Sequence, residues 1–335
     1  MNVLSLFDGM SGGQLGLQKA GIEVDNYFAS EIDKYAMAVT QYRFPETIQL
    51  GSVLDIDIEN LPKIDLLIAG SPCQGFSLAG KQLNFDDDRS KLFFEFVRIL
   101  NFLQPKYFLL ENVKMKKEYQ GVISNLVGCE PIEINSALLS AQNRKRLYWT
   151  NIPGVKQPKD KGVMLKDILE TEGYGFIKNR GELQERNEKG MCLDANYYKG
   201  VDNHGQRTVI IEKTCTPREP GNGECIQVGM ANDLNGHDIC KRVYSKNGKS
   251  PTVKTGCSGG TIPKIACGSA LITENECHWR KLTPLECERL QTVPDNYTLV
   301  PWQKRMMSNS QRYKMLGNGF TCDVIAHILK GIKNV

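Results

Sequence analysis

The chain has 335 residues and a formal net charge of +4, so it is long enough to bury a large core and only mildly basic. It contains no apolar run of about eighteen residues, which argues against a transmembrane helix, and its first residues lack the pattern of a secretory signal. Such a charge permits a nucleic-acid partner without establishing one.

The chain also has eleven cysteines, an odd number in a long sequence without a signal, so we expect reduced thiols rather than a disulfide framework. Most of them lie between Cys192 and Cys322, a density that raises the question of zinc. No two cysteines have the C-x-x-C spacing typical of structural zinc sites. We therefore predict no bound metal.

Strand-like and helix-like segments alternate over residues 1–153. The predicted strands are Val3–Phe7, Tyr27–Ser30, Thr47–Leu50, Ile64–Ala69, Tyr107–Leu110, Pro131–Asn135 and Arg146–Ile152. The predicted helices are Gln14–Ala20, Lys34–Tyr42 and Leu92–Leu103. This βαβ alternation predicts an α/β fold, a doubly wound and mostly parallel sheet with helices on both faces.

The character of the sequence changes at about residue 154. Over residues 154–278 helical periodicity disappears and glycine turns separate short β-prone pieces, so we predict a second, smaller, irregular β-rich domain. Those pieces are Arg207–Glu212, Ile226–Met230 and Arg242–Tyr244. Helical signal returns over residues 279–335, with a capping box that begins at Thr283 and a final amphipathic helix. We expect this segment to pack back on the first domain.

A glycine-rich turn, Asp8–Gly13, follows the first strand and opens the first helix, which is the context of a nucleotide site. Gly9 and Gly12 let the backbone approach a ligand, and the helix N-terminus favours a negative group. Glu31 ends the next strand, where its carboxylate can accept hydrogen bonds from two ribose hydroxyls. Because the spacing differs from G-x-G-x-x-G, these features together indicate an adenosine-containing ligand without a pyrophosphate.

Three further polar segments lie next to predicted strands. Cys73 comes soon after the buried strand Ile64–Ala69, and ligands of parallel sheets bind beyond the carboxyl ends of the strands. A lone cysteine is more often buried and inert, but Glu111 directly follows a neighbouring predicted strand and would put a carboxylate beside the thiol. Arg144 and Arg146 are two residues apart, so on a strand both would face the same side.

These segments and their order resemble the DNA (cytosine-5) methyltransferases. The match rests on Phe-x-Gly-x-x-Gly, Ser-Glu at a strand end, Pro-Cys-Gln, Glu-Asn-Val, Gln-x-Arg-x-Arg and a late Leu-Gly-Asn-Gly, over residues 1–153 and 279–332. Local sequences are most similar to the branch with the animal de novo enzymes and many phage and bacterial relatives. The resemblance implies a Rossmann-like class I fold that binds S-adenosylmethionine. It makes residues 1–153 the catalytic domain, 154–278 the target-recognition domain and 279–335 a C-terminal segment on the catalytic domain.

In that family Cys73 would attack C6 of a cytosine, which makes C5 nucleophilic enough to take a methyl group. The resemblance implies that Glu111 hydrogen-bonds ring N3 and the exocyclic amine. Arg144 and Arg146 would hold O2 and stabilise the negative charge that develops on the ring. The base that removes the C5 proton is not identified. The implied catalytic residues are Cys73, Glu111, Arg144 and Arg146.

The resemblance also implies a pocket for S-adenosylmethionine. Glu31 would bind the ribose, Ile32 would lie against the adenine, and Asn318 would close the pocket from the C-terminal segment. One residue departs from the family, because Ser52 stands where an Asp commonly contacts the adenine amine. Either Ser52 or Asp55 makes that contact, or the cofactor binds more weakly. The implied cofactor-binding residues are Phe7, Gly9, Gly12, Glu31, Ile32, Ser52, Val53 and Asn318.

A cytosine inside a duplex is out of reach of Cys73, so the implied enzyme flips the base out of the helix. The loop Gly75–Lys91 is the candidate that closes over the base, although its run Asp86–Asp88 is typical of a solvated acidic turn. Residues of this loop and of the middle domain would contact DNA. The implied DNA-binding residues are Gln74, Ser77, Lys81, Arg89, Arg242, Thr252 and Val253.

The expected partner is double-stranded DNA in the cytoplasm of a bacterial or phage-infected cell, associated with the nucleoid and not with a membrane. A cognate restriction endonuclease fits the resemblance, and the oligomeric state and the recognised sequence stay open. Three alternatives also stay open: a catalytically silent binding module, a transfer-RNA cytosine methyltransferase and a hydroxymethylase of free nucleotides. The retained Cys73, Glu111 and Arg146 argue against the first, the long middle region against the second, and the Glu31 pocket against the third.

Overall fold

A computed structural model of the chain describes residues 1–70, 88–171, 173–179, 182–185, 188–200, 204–212, 227–230, 242–244, 264–265 and 278–334. Backbone contacts divide the chain into two units. The larger unit consists of Met1–Ile168, Asn187–Gly200 and Leu282–Val335, and the smaller unit of Leu169–Arg186 and Val201–Lys281. The larger unit therefore includes residues 187–200, from within the region that the sequence assigns to the middle domain.

One seven-stranded sheet forms the centre of the larger unit. Its strands are β1 (Asn2–Leu6), β2 (Asn26–Ser30), β3 (Ile48–Gly51), β4 (Leu66–Gly70), β5 (Tyr107–Val113), β6 (Ile132–Asn135) and β7 (Lys145–Thr150). The order is β3-β2-β1-β4-β5-β7-β6, and every neighbouring pair is parallel except the two pairs that β7 makes. The predicted doubly wound, mostly parallel sheet is confirmed.

Seven described helices and a short hairpin complete the larger unit. The helices are α1 (Gly12–Ala20), α2 (Lys34–Arg43), α3 (Asp88–Leu103), α4 (Lys117–Val127), α5 (Pro284–Leu290), α6 (Asn309–Asn318) and α7 (Cys322–Leu329). The hairpin joins β15 (Pro301–Trp302) to β16 (Arg305–Met306), labels that count the strands of the smaller unit. The predicted capping box opens α5, because Thr283 and Glu286 each accept a hydrogen bond from the other's backbone amide.

The central strands are buried on both faces. Successive residues of a strand point to opposite sides, and each side packs in its own apolar layer. Leu67 of β4 packs in an apolar layer with Phe96 of α3. Its neighbour Leu66 packs in the opposite layer with Leu17 of α1 and Ile325 of α7. Burial on both faces explains why β1 and β4 are almost continuous apolar runs in the sequence.

Two helices, α4 and α6, were not predicted from the sequence. Lys116 at the start of α4 is not a capping residue, so the usual sequence signal is absent there, whereas Ser308 before α6 is a typical N-cap residue whose side chain makes no capping hydrogen bond. In α4, Gly121 also interrupts the helical pattern. Burial of Ile123 in α4 and of Tyr313 and Leu316 in α6 stabilises these segments as helices.

The smaller unit is built from short strands. Four of them, β8 (Gly173–Asn179), β9 (Glu182–Glu185), β10 (His204–Glu212) and β14 (His278–Lys281), form an antiparallel sheet in the order β14-β10-β8-β9. A second, three-stranded sheet contains β11 (Gln227–Met230), β12 (Arg242–Tyr244) and β13 (Lys264–Ile265). This confirms the β-rich character that the sequence predicts for the region.

None of the described helices has both the length and the apolar character needed to cross a bilayer. Within the same residues, no three Cys, His, Asp or Glu side chains come together as metal ligands would.

Candidate active site

The turn after β1 has an unusual backbone. Phe7, Gly9 and Ser11 have φ angles of 56°, 62° and 59°, in the left-handed region that favours glycine. Two of the three are not glycine, and such strain is concentrated at functional sites. A Cβ on Gly9 would meet no atom within 4 Å, so the turn leaves open space there. At Gly12, by contrast, a Cβ would lie 3.3 Å from the Phe320 ring, so the absence of a side chain lets the C-terminal segment pack closely against the turn.

A buried carboxylate fixes the same turn. Asp8 accepts hydrogen bonds from the hydroxyls of Ser11 at 2.6 Å and Tyr27 at 2.7 Å, and burial raises the pKa of Asp8. Because the Ser11 hydroxyl donates to Asp8, α1 begins without a side-chain cap. Uncapped amides at a helix N-terminus favour a negatively charged group. The sequence motif includes Asp8, but only the structure gives it this role.

Glu31 joins the end of β2 to the glycine turn. Its Oε2 accepts a hydrogen bond from the Gly9 amide, and its Oε1 accepts from the amides of Ile32 and Asp33, each at 2.8 Å. A carboxylate oxygen can accept about two hydrogen bonds, so Oε2 keeps capacity for one more. The Ile32 side chain is 78% exposed beside it. The backbone therefore orients an acceptor and an apolar surface at the same edge of the sheet.

The other predicted cofactor residues differ in their surroundings. Ser52 Oγ accepts a hydrogen bond from the Leu54 amide at 3.2 Å and so caps the turn that begins at Val53. The Val53 side chain packs in the core, whereas Asp55 is exposed. Asn318 is exposed at the end of α6, two residues before Phe320, whose ring lies against both Gly12 and Gly70. The C-terminal segment thus reaches the edge of the sheet that carries the glycine turn.

Glu111 and Arg146 form an ion pair at the carboxyl end of β5. Arg146 Nε lies 3.0 Å from Glu111 Oε1, and the two side chains are only 15% and 13% exposed. The sequence predicts that Glu111 lies just after the strand Tyr107–Leu110. In the structure β5 continues to Val113, because β7 pairs with it in antiparallel register, with Glu111 opposite Tyr148 and Val113 opposite Arg146.

The register of β4 and β5 also defines the surroundings of this ion pair. Gly70, the last residue described before Cys73, pairs with Glu111, and its Cβ position would be 3.8 Å from Glu111 Oε2. Burial alone would lower the pKa of Arg146, but the facing charge of Glu111 and the hydrogen bond to Cys192 raise it. Burial and the charge of Glu111 raise the pKa of Tyr148 above its usual value.

Arg144 binds backbone carbonyl groups, whereas Arg146 pairs with Glu111. Its buried guanidinium donates hydrogen bonds to the carbonyl oxygens of Leu193 at 3.1 Å, Gly317 at 3.3 Å and Gly319 at 3.0 Å. The sequence predicts that Arg144 and Arg146 face the same side of a strand. Arg144 lies just before β7, which begins at Lys145, and both guanidinium groups reach the sulfur of Cys192, but only that of Arg146 pairs with Glu111. Arg144 therefore anchors the C-terminal segment and residues 192–193.

We expect Arg144→Ala to lower the free energy of unfolding by about 3 kcal/mol, because buried carbonyl groups lose their donors. Urea unfolding followed by circular dichroism measures this change. The matched control is Arg98→Ala, which removes an exposed arginine whose partner is Glu95 three residues earlier, at a cost below about 1 kcal/mol. Equal effects of the two substitutions would contradict the anchoring role.

Two glutamines complete the anchoring network around Arg144. Gln142 is fully buried, accepts a hydrogen bond from the Leu193 amide at 2.8 Å and donates to Gln291 Oε1 at 3.2 Å. Gln291 in turn donates to the Leu316 carbonyl and accepts from the Thr321 hydroxyl. The sequence motif included Gln142, but nothing in the sequence singled out Gln291, because its partners come from distant segments.

Several predicted site residues lie outside the described residues. These include the proposed nucleophile Cys73 and most of the predicted DNA contacts, Gln74, Ser77, Lys81, Thr252 and Val253. Arg89 belongs to α3 and Arg242 to β12, but only their backbones are described. Among the predicted residues that are described, the structure therefore brings together two groups, Gly9 with Glu31, and Glu111 with Arg146.

The chain belongs to the C-5 cytosine-specific DNA methylase family, whose model matches residues 1–130 and 131–334. Its relatives include the type II methyltransferase M.HhaI of Haemophilus parahaemolyticus, 29% identical over 99% of this chain and 94% of that protein. Type II methyltransferase M1.ScrFI of Lactococcus lactis subsp. cremoris is 30% identical, over 99% of this chain and 78% of the relative. Orphan methyltransferase M.SPRI of Bacillus phage SPR is 28% identical over 98% and 97% of the two chains.

Solved structures agree with this assignment at the level of the fold. The Entamoeba histolytica methyltransferase EhMeth superposes with a TM-score of 0.66 at 17% identity, over 100% of this chain and 98% of that one. A Spodoptera frugiperda DNMT2 superposes with a TM-score of 0.61 at 20% identity, over 99% of each chain. The predicted family is confirmed, and the chain is a DNA cytosine-5 methyltransferase.

Proposed function

We propose that this enzyme takes the methyl group of S-adenosylmethionine and transfers it to C5 of a cytosine flipped out of duplex DNA, through a covalent bond between Cys73 and C6. The observation that carries the proposal is the largely buried Glu111–Arg146 pair beside Gly70, the residue from which the chain continues to Cys73. A carboxylate that is held on one oxygen can contact a base with the other.

In the proposed reaction the Cys73 thiolate bonds to C6, and the electron pair of the C5–C6 double bond moves to C5. Glu111 delivers a proton to N3 as the sulfur adds and takes it back when the C6–S bond breaks, and it accepts a hydrogen bond from the exocyclic amine. Arg146 holds Oε1 of Glu111, which leaves Oε2 for the base. After C5 has taken the methyl group, a base removes its proton. The electrons of that C–H bond then restore the double bond, and the C6–S bond breaks to release the Cys73 thiolate.

S-adenosylmethionine, when bound, supplies the electrophilic methyl group, and the described residues fit it. Glu31 Oε2 can accept a ribose hydroxyl, and the exposed Ile32 offers an apolar surface for adenine. The uncapped start of α1 suits the carboxylate of the methionine end. We assign Phe7, Gly9, Gly12, Ser52, Val53 and Asn318 to the same pocket, with Val53 acting through its backbone because its side chain is in the core.

We expect Glu31→Ala to weaken binding of S-adenosylmethionine by about 10- to 100-fold, because a charged acceptor for the ribose is lost. Isothermal titration calorimetry measures this affinity, and affinity for DNA should change by less than about twofold. Glu31→Gln, which keeps one side-chain oxygen, tests whether the turn still folds. The control is Glu46→Ala, an exposed carboxylate before β3. Unchanged cofactor affinity in Glu31→Ala would contradict the assignment.

We further propose that residues 154–278 include the part that recognises the target sequence in duplex DNA. Gln74, Ser77, Lys81 and Arg89 would contact DNA from the loop after Cys73, and Arg242, Thr252 and Val253 from the second domain. Type II names among the relatives support a cognate restriction endonuclease, and orphan phage names support an enzyme without one. Their sources support action on DNA in the cytoplasm of a bacterial or phage-infected cell, associated with its nucleoid.

Bisulfite sequencing of an unmethylated plasmid, after incubation with the protein and S-adenosylmethionine, tests the proposed function. We expect protected cytosines at one short recurring sequence, because target recognition selects the flipped base. Omission of S-adenosylmethionine is the control and should abolish protection. Transfer RNA in a parallel reaction tests the RNA alternative. A plasmid without protected cytosines would overturn the proposal.

A further inference from the structure

Cys192 lies between Arg144 and Arg146, and the reaction proposed above gives it no role. Its sulfur accepts a hydrogen bond from Nη1 of Arg144 at 3.4 Å and another from Nη2 of Arg146 at 3.7 Å. Its own S–H donates to the carbonyl of Leu193 at 3.4 Å. The thiol thus makes three hydrogen bonds, and the two groups that donate to it are both charged guanidinium groups.

The contact with Cys192 completes the fixation of the Arg146 side chain. Nε of Arg146 pairs with Glu111, Nη1 donates to the carbonyl of Lys145 at 2.9 Å, and Nη2 donates to the sulfur. A guanidinium is a rigid plane, so contacts at all three nitrogens fix both its position and its tilt. Loss of the third contact leaves only Nε and Nη1 held, so the plane can tilt about the line through those two nitrogens, which changes how Arg146 holds Glu111.

The backbone that carries Cys192 is itself tightly held. The amide of Leu193 donates to Gln142 at 2.8 Å, and the amide of Gly190 donates to the carbonyl of Ala141 at 2.8 Å. At the end of α6, a Cβ on Gly317 would lie 2.3 Å from the backbone of Asp194, so the two segments are in close contact. Cys192 is therefore mounted on a fixed support, as a positioning residue must be.

Resting on the function proposed above, we infer that Cys192 is a positioning residue for cytosine methylation, which acts through Arg146 to orient Glu111. The two donor distances suit sulfur, whereas an N–H···O hydrogen bond is about 2.9 Å long. Serine at this position keeps an acceptor but places it farther from both guanidinium groups. Alanine removes the acceptor altogether.

The test measures single-turnover methyl transfer to a plasmid for Cys192→Ala and Cys192→Ser. We expect alanine to lower the rate constant about tenfold, as one hydrogen bond to a charged group predicts, with KM for DNA and for S-adenosylmethionine within about twofold. Serine should recover part of the rate, and it keeps the test decisive if the alanine variant unfolds. The matched control is Cys129→Ala, a second half-buried cysteine of the larger unit, which should leave the rate unchanged.

A double-mutant cycle separates positioning from general loss of structure. In an Arg146→Lys background, Cys192→Ala should change the rate by less than about twofold, because the group that it orients is gone. An equal loss in both backgrounds would overturn the inference. So would an active wild-type enzyme whose Cys192→Ala variant is equally fast, while the proposed function would stand. A wild-type protein without methyl transfer would overturn the proposed function, and the inference with it.

Discussion

Cys73→Ala should abolish methyl transfer and leave DNA binding intact. The proposed reaction needs a covalent bond to C6 before C5 becomes nucleophilic, and alanine offers no electron pair for that bond. Removal of a catalytic nucleophile lowers the rate by at least about 10⁴-fold in well-studied hydrolases, and we expect a loss of similar size here. Transfer of a labelled methyl group to a plasmid measures the rate, and a gel-shift titration measures DNA affinity.

The control for this substitution is Cys129→Ala, which removes a half-buried cysteine from the same unit. It should retain full activity, which excludes a general effect of thiol removal. Mass spectrometry adds a direct test, because DNA with 5-fluorocytosine at the target should trap the wild-type protein as a covalent complex. A Cys73→Ala protein that still forms this complex or turns over at the wild-type rate would refute the nucleophile assignment.

Glu111→Gln is expected to lower the rate of methyl transfer by about 10²- to 10⁴-fold, the usual range for a lost acid–base group. Glutamine keeps the shape of the side chain but removes the charge that Arg146 holds and the acid that delivers a proton to N3. Because Arg146 is largely buried, the same change leaves a cation without its partner, and some loss of stability is expected as well.

Two comparisons separate catalysis from stability at this position. Glu133 lies on β6, which β7 separates from β5. Glu133→Gln removes a carboxylate paired with Lys114 at the surface and should leave the rate unchanged. Thermal unfolding of Glu111→Gln shows whether the protein is folded at the assay temperature. A folded Glu111→Gln protein with wild-type activity would rule out the proposed role of this carboxylate.

The chemical site depends on the one part of the sheet that is not parallel. If β7 ran parallel to β5, the residues before it would lie at the opposite edge of the sheet. Instead β7 is antiparallel, so its first residues reach the carboxyl end of β5, where Arg146 meets Glu111. The glycine turn and Glu31 lie at the same edge because β1 and β2 are parallel to β4 and β5.

Local sequence determined much of this protein. Apolar runs and glycine punctuation predicted the parallel strands, because strands buried on both faces need continuous apolar residues. The turn after β1 and Glu31 at the end of β2 could also be found, since both lie close in sequence to the strands that position them. Cys73 and Glu111 were predicted in the same way, from their positions directly after predicted buried strands.

The tertiary structure alone decided which polar residues work together. Two arginines at positions 144 and 146 look equivalent in the sequence, but β7 begins between them, and only Arg146 reaches Glu111, while Arg144 turns to carbonyls of distant segments. Gln291 and Cys192 gave no sequence signal, because their partners are far away along the chain. Side-chain hydrogen bonds between such distant segments depend on tertiary packing, which the local periodicity of the sequence does not predict.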